Sequence, residues 1–369
     1  MSKGKKDKSY LIGYYPYKDG KDHYMRIVAE ETTAAGYPVI DLMKAIKHPA
    51  IYRQLKVVNL NWFESVNKGK KGVRIYLNFV KRILMLVFFR ITGKKIVFTF
   101  HNAFPHGIKN VSLSNTMISL LSKWSVKIVA LCDYSKEILK EYISDEEVSR
   151  KMVVIPPATY KGCYPEDSID FRSQWGVSSD ACIMTFIGSI QPYKNLELII
   201  EAAKQHSEIY FVLAGKVYGE DYHRQIESLS KGCANIIKLF RYIEDRELPA
   251  LIRSSTFIIT PYDKSSLNSG VAILAFTYGR TVICPEIGTI KQMGDLSHVY
   301  SYRYEREEEH IVRLNEAIDR AYSDYLEAPD KVEGNNQWVE NYVNTINSRA
   351  MVKNRYGCLY KDITRSKSK

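Results

Sequence analysis

The 369-residue sequence has no Cys-x-x-Cys pair, no long apolar run, no glycine-rich nucleotide loop and, over one stretch, almost no acid. The six cysteines, Cys132, Cys163, Cys182, Cys233, Cys284 and Cys358, are scattered, several within apolar strand-like runs, a pattern that favours buried free thiols over a zinc site or disulfides. The longest apolar run is the seven residues 83–89. A membrane-crossing helix needs about twenty. Residues 1–8 are basic but lead into a strand-like run with no small-residue cleavage site, so no signal peptide is read and a cytoplasmic chain is expected. The turn after the first strand, Ile12-Gly13-Tyr14-Tyr15-Pro16, lacks the G-x-G-x-x-G of dinucleotide folds, and no Walker A motif occurs. Dehydrogenase and P-loop NTPase readings lose their main support.

Charge is unevenly spread. The chain carries 53 Lys+Arg against 41 Asp+Glu, a net +12. Between 51 and 127 stand fourteen cations and one acid, Glu64, so this segment holds +13 and the remainder sums to −1. Basicity confined to one segment asks what that segment touches.

Short runs rich in β-branched and aromatic residues alternate with helix-like stretches throughout. Strands are expected at 10–14, 38–41, 57–61, 96–100, 127–131 and 153–155, then at 182–187, 210–214, 236–239, 257–260 and 281–284. Two such series imply an α/β chain of two doubly wound, Rossmann-like parallel-sheet domains facing across a cleft. Pro156, Pro157, Gly162 and Pro165 mark the boundary. The expected domains are an acceptor-binding, membrane-facing 1–160, a donor-binding 161–345, and a segment 346–369 that packs back toward the first.

In open α/β sheets ligands bind outside the carboxyl ends of strands, so the residues just after strands carry the chemistry. After 182–187 comes Gly188-Ser189-Ile190-Gln191-Pro192-Tyr193-Lys194-Asn195 and then a helix. A strand-end glycine allows close backbone approach, and a lysine at a helix start suits a diphosphate. The same segment also reads as an ordinary turn with a surface lysine. After 257–260, the small polar residues Ser266, Asn268, Ser269 and Gly270 precede another helix, where they cap it or hold an anion.

Phe186-Ile187-Gly188, Pro192-Tyr193-Lys194-Asn195, Val212-Leu213-Ala214-Gly215, Glu244-Asp245-Arg246-Glu247-Leu248, Pro261-Tyr262 with Asn268-Ser269-Gly270, and Tyr278-Gly279-Arg280-Thr281-Val282-Ile283 together resemble the donor-binding half of GT-B glycosyltransferases. The resemblance implies a nucleotide-diphospho-sugar co-substrate held by the second domain, with no metal and no other cofactor. It places Lys194 on the diphosphate, Gly188 and Ser189 in the phosphate-facing turn, and Tyr242 and Ile243 near the nucleobase. Tyr262, Ser266, Asn268, Ser269 and Gly270 complete the donor site. Two departures stand out. Retaining relatives carry a Glu, seven residues and a second Glu where this chain has Ser266 and Leu274, and an arginine often stands where Gln191 does. The missing pair favours inversion, and it also admits a GT-B-like protein without activity that serves as partner to another glycosyltransferase.

An inverting displacement needs a base for the acceptor hydroxyl. The candidates follow first-domain strands: Asp19, with Asp22 and His23; Glu64; and His101. Tyr15, Asn102 and His106 are the acceptor-side residues. Glu64, alone among cations, is expected to have a lowered pKa or to form a structural ion pair, and His101, with an ordinary pKa near 6.5, to move a proton or simply to order its loop.

The segment 73–91 reads as a helix with Arg74, Asn78, Lys81 and Arg82 on one face and an all-apolar stretch at 83–89. Such a helix suits an anionic inner-leaflet surface; a buried crossover helix with solvated lysines is the alternative. Nucleic acid is not expected, since the aromatics sit in core-like runs and no RNA- or DNA-binding motif occurs. The resulting expectation is a peripheral hexosyltransferase at the inner membrane face, adding a sugar to a lipid-linked or oligosaccharide acceptor during capsule, exopolysaccharide or O-antigen synthesis.

Overall fold

Twelve strands, paired in parallel throughout, form two six-stranded sheets in the computed structural model, which describes residues 10–17, 23–66, 72–102, 111–263 and 266–365. The chain divides into two units, Met1–Ala158 with Ser348–Lys369 and Thr159–Asn347.

The first unit contains β1 (Leu11–Tyr15), β2 (Val39–Asp41), β3 (Leu55–Asn61), β4 (Lys95–Phe100), β5 (Lys127–Ala130) and β6 (Met152–Val154), ordered β2-β1-β3-β4-β5-β6. Strands β3 and β4 are buried along almost their whole length, which explains their continuous rather than alternating apolar character: a parallel sheet is covered on both faces. Part of that cover is the helix Arg349–Arg365, which buries Val352, Tyr356, Leu359, Tyr360 and Ile363. Its polar side is tied down by Arg349 on Glu31 (2.7 Å) and Glu30, by Arg355 on the Val154 carbonyl (2.9 Å), and by Asp362 on Lys127 (3.0 Å).

The second unit contains β7 (Ile183–Ile187), β8 (Tyr210–Ala214), β9 (Ile236–Leu239), β10 (Phe257–Ile259), β11 (Val282–Pro285) and β12 (Tyr300–Tyr302), ordered β12-β11-β10-β7-β8-β9. All eleven expected strands are present. The twelfth, β12, is a three-residue edge strand, Tyr-Ser-Tyr, too short to stand out from its charged surroundings.

The helix Val73–Ile91 is not a buried crossover. It buries only Leu86 and Phe89 and leaves Val73, Tyr76, Leu77, Val80, Leu84, Phe88 and Ile91 exposed. The all-apolar stretch is thus sided. Nor do Asn78 and Arg82 share a solvent face with Arg74 and Lys81. Asn78 donates to the Val66 carbonyl (2.6 Å) and Arg82 to those of Trp62 (3.3 Å) and Phe63, because the loop after β3 turns these carbonyls toward the helix. The cysteines are free: Cys132, Cys182 and Cys284 are buried, Cys163 and Cys233 half-buried, and Cys358 is exposed rather than buried. Among the described residues no helix is long and apolar enough to cross a membrane, and no cluster of His, Cys, Asp and Glu could hold a metal ion.

Candidate active site

Both sheets reverse strand order once, and each reversal gathers expected residues. In the second unit the reversal lies between β7 and β10, so the turns after these strands are neighbours. Asn195, at φ +53°, starts the helix Leu196–Gln205 and donates from Nδ2 to the Pro261 carbonyl (3.0 Å), while the Asp263 amide donates to the Tyr193 carbonyl (3.3 Å). These bonds stitch the two turns together.

Lys194 lies between them and is 7% exposed, not a surface lysine. Its ammonium sits 5.1 Å from the Tyr262 ring centroid, 5.5 Å from Phe186 and 5.9 Å from Tyr193. Burial pushes its pKa down to about 8, and no carboxylate pairs with it among the described residues. Gly188, at φ +128°, leaves this ammonium its room: a Cβ there would stand 3.0 Å from Nζ. Gly215, at φ +153°, is required by the neighbouring turn, since a Cβ would meet the Gly188 oxygen at 1.8 Å. Buried polar atoms without partners among the described residues include Tyr262 OH and Ser266 Oγ.

Ser269 caps the helix Gly270–Thr277, its Oγ accepting from the Ala272 amide (3.1 Å). Thr289, after β11, is not among the expected residues, since no strand-end glycine like Gly188 precedes it: Gly288 stands three residues past the strand. Thr289 Oγ1 accepts from the Ser269 amide (3.2 Å) and donates to Asn268 Oδ1 (3.3 Å), holding this loop in place. Ser189 receives a bond from Gln191 Nε2 (3.1 Å). Leu274 belongs to the apolar core. Beyond β9, Tyr242 is exposed whereas Ile243 is packed into the core.

In the first unit the reversal lies between β1 and β3. Trp62, just past β3, adopts φ +49°, a left-handed conformation that costs a bulky residue energy and must be imposed from outside. Arg82 imposes it through its two carbonyl contacts, with its guanidinium 5.0 Å over the Phe63 ring. The loop buries Glu64 to 1% exposure and leaves Oε2 without a partner among the described residues. Burial pushes the Glu64 carboxyl up to about 7, against the opposing charge of Arg82. The expected lowering is therefore overturned: desolvation outweighs the cation.

His101, just past β4, is also buried, stacked on Trp62 with ring centroids 3.9 Å apart and edge-on to Tyr24 at 5.3 Å. Burial pushes its pKa down to about 3, not the ordinary 6.5, so it is a neutral imidazole at neutral pH. Of the two groups, Glu64 is the better matched to proton transfer there. Tyr15 is half-buried, edge-on to Phe63 at 5.4 Å, and Asn102 is half-buried beside His101. Asp19, Asp22 and His106 lie outside the described residues.

Residues 167–334 match the family model described as Glycosyl transferases group 1. A D-inositol 3-phosphate glycosyltransferase of Geodermatophilus obscurus is 25% identical over 43% of this chain and 37% of its own length. A GDP-mannose:glycolipid 4-beta-D-mannosyltransferase of Xanthomonas campestris pv. campestris is 22% identical over 64% of this chain and 63% of its own. The chain thus spans about a third of the first relative and under two thirds of the second. Among solved structures, sucrose-phosphate synthase of Thermosynechococcus elongatus superimposes with a TM-score of 0.72 at 14% identity, covering 96% of this chain and 98% of that one. HepE of Anabaena, in complex with UDP and glucose, gives 0.71 at 12% identity, covering 95% and 99%. These similarities in structure show the fold, two Rossmann-like α/β domains of the GT-B type.

Proposed function

We propose that this chain, whose second unit is a glycosyl transferases group 1 domain, moves one hexose from a nucleotide-diphospho-sugar to a lipid-linked or oligosaccharide acceptor, with inversion. The observation that carries this reading is Lys194: an almost buried ammonium, with no paired carboxylate among the described residues, between two turns at a strand-order reversal. A buried cation without a counter-charge is costly unless an anion arrives, and a diphosphate supplies one. Lys194 and the amides at the start of Gly270–Thr277 supply the positive charge that a metal ion would otherwise supply. The UDP and glucose bound by HepE support the donor class, and the glycolipid acceptor of the Xanthomonas enzyme supports a lipid-linked acceptor.

In the proposed step, Glu64 as carboxylate takes the proton of the acceptor hydroxyl, and the acceptor oxygen attacks the anomeric carbon. The bond from that carbon to the diphosphate breaks, and the nucleoside diphosphate leaves with the bonding electrons. The growing glycan is of the cell-surface kind, and the protein works peripherally at an anionic inner membrane face, with no nucleic-acid partner.

The exposed residues of helix Val73–Ile91 support the membrane location. Val73, Leu77, Val80, Leu84, Phe88 and Ile91 fall within an arc of about 80° at 100° per residue. Arg74 and Lys81, both exposed, border that arc on one side. Lys68, Lys70 and Lys71, which belong to the same basic segment, lie outside the described residues.

Thermal shift with a panel of nucleotide sugars, followed by a hydrolysis assay on any hit, tests the enzyme reading. Stabilisation with turnover supports it. Absence of stabilisation by every nucleotide sugar sinks it in favour of the non-catalytic partner protein that Ser266 and Leu274 also suggest.

A further inference from the structure

Glu64 is held on both sides from helix Val73–Ile91, and what this implies rests on Glu64 being the base. Asn78 and Arg82, four residues apart, lie on one side of that helix. Arg82 Nη1 donates to the Trp62 carbonyl at 3.3 Å and to that of Phe63, and Asn78 Nδ2 donates to the Val66 carbonyl at 2.6 Å. Within the loop, the Ser65 amide donates to the Trp62 carbonyl at 3.1 Å and the Val66 amide to that of Glu64 at 2.8 Å. Phe63, Glu64 and Val66 are buried. Helix side chains thus grip the backbone before and after Glu64, and the grip keeps Trp62 at φ +49°, where a bulky residue does not stay unaided.

Arg82 acts on Glu64 in two opposed ways. Its charge favours the carboxylate, and among the described residues it is the one charged group that does so, beside the amide of Glu64 itself. Its hydrogen bonds favour the neutral acid, because the closed loop takes water from the carboxyl and leaves Oε2 without a partner among the described residues. Tyr15 also faces the guanidinium, edge-on to Phe63. With the carboxyl pushed up to about 7, burial outweighs the charge. Removing Arg82 can therefore move Glu64 either way. Lost charge alone would drive its midpoint further up, whereas an opened and hydrated loop would bring it down toward the ordinary 4.5. Asn78 separates the two effects, since it holds the loop and has no charge.

We propose that Arg82 and Asn78 are positioning residues: by holding the Trp62, Phe63 and Val66 carbonyls they keep the Glu64 carboxyl out of water, and this, not the charge of Arg82, suits it to take the acceptor proton. A carboxylate with little water holds a proton more tightly than an exposed one, so the same grip supplies both the strength and the place of the base. The helix whose outer arc is assigned to a membrane spends its inner polar side chains on that base.

The test is a pH titration of the full chain carrying 13C-labelled glutamate, followed at the side-chain carboxyl carbons, with the Glu64 signal assigned by its loss in Glu64→Gln. The wild-type midpoint is expected at about 7. Arg82→Met, which keeps an unbranched stem and drops charge and donors together, should move it down by about one pH unit or more. Asn78→Ala should also move it down, by less, although no charge changes. In transfer assays Arg82→Met should lower kcat and carry the acid limb of its pH profile down with the midpoint, leaving the KM for the nucleotide sugar unchanged. An unchanged or raised midpoint in a folded Arg82→Met overturns the inference; should that variant not fold, the same result in Asn78→Ala overturns it. A wild-type midpoint near 4.5 does so as well. Because the midpoint is read without turnover, an absence of glycosyl transfer would count against the proposed function alone.

Discussion

A lysine with three aromatic rings around its ammonium and no paired carboxylate among the described residues gains a little from the ring faces but loses most of its water. Since its free-state pKa is about 8 and an adjacent diphosphate favours the charged form, donor binding must take up a proton above that pH. Affinity for a nucleotide sugar should therefore be constant below about pH 8 and weaken toward about tenfold per unit above it. Calorimetric titration from pH 6 to 9 reads this. Lys194→Ala should bind more weakly at pH 7, flatten the profile and not lower the melting temperature of the free protein, since it also removes a stranded buried charge; unaltered affinity refutes the assignment. Glu64 behaves oppositely. Its folded pKa lies above the unfolded 4.5, so the folded state holds the proton more tightly and stability falls as pH rises from about 4.5 to about 7. A shift of that size corresponds to at most about 3 kcal/mol. Glu64→Gln should remove this fall, with melting temperatures that match the wild type at pH 4.5 and exceed it at pH 8, while transfer is lost. A wild-type advantage at pH 8 would mean that the carboxylate is paired rather than stranded.

At the scale of the element, helix Val73–Ile91 holds two kinds of side chain with different physics. Its cations act over a Debye length and are weakened by salt, whereas its apolar arc acts only on contact. Each surface cation is worth about 1 kcal/mol at an anionic membrane, so Arg74→Gln with Lys81→Gln should lower vesicle affinity about thirtyfold at low salt and much less at high salt. Leu77→Ser with Leu84→Ser should lower it at both. Co-sedimentation with phosphatidylglycerol vesicles in 50 and 500 mM salt separates the two, and binding unchanged by either pair would remove the membrane role. This helix also shows what can be read from sequence and what cannot. Its bounds follow from periodicity, and the strands β7 and β8 from apolar runs between turn residues. Its inner face does not: Asn78 and Arg82 lie beside Arg74 by spacing, and only the carbonyls of the folded loop 62–66 draw them inward. Lys194 was legible by type and place but not by burial. The Glu64 direction was misjudged because a sequence shows neighbouring charges and not the water taken away. Thr289 reaches Ser269 only because β11 lies beside β10.

For the molecule as a whole, the two units draw on the chain unequally. Every residue of the proposed donor site lies in the continuous stretch Thr159–Asn347, while the first sheet is completed by a helix from beyond it. That helix buries five large side chains, among them Tyr356 and Tyr360, and removing even one such group from a core costs about 2–5 kcal/mol. Losing all of them exceeds the roughly 5–15 kcal/mol by which a domain is stable. A chain ended at Asn347 should therefore lose the first unit and keep the second, since the second has its own sheet, two apolar core clusters and its own closing helices. Differential scanning calorimetry of this truncated chain should show one transition instead of the two expected of the full chain, and a nucleotide sugar that stabilises the full chain should raise that remaining transition. Limited proteolysis should reduce the truncated chain to a fragment beginning near Thr159. A melting profile like that of the full chain would show that the first sheet closes without the helix. Loss of the ligand-induced shift with the remaining transition intact would mean that the donor site draws on residues outside Thr159–Asn347, and Lys194 would no longer account for binding.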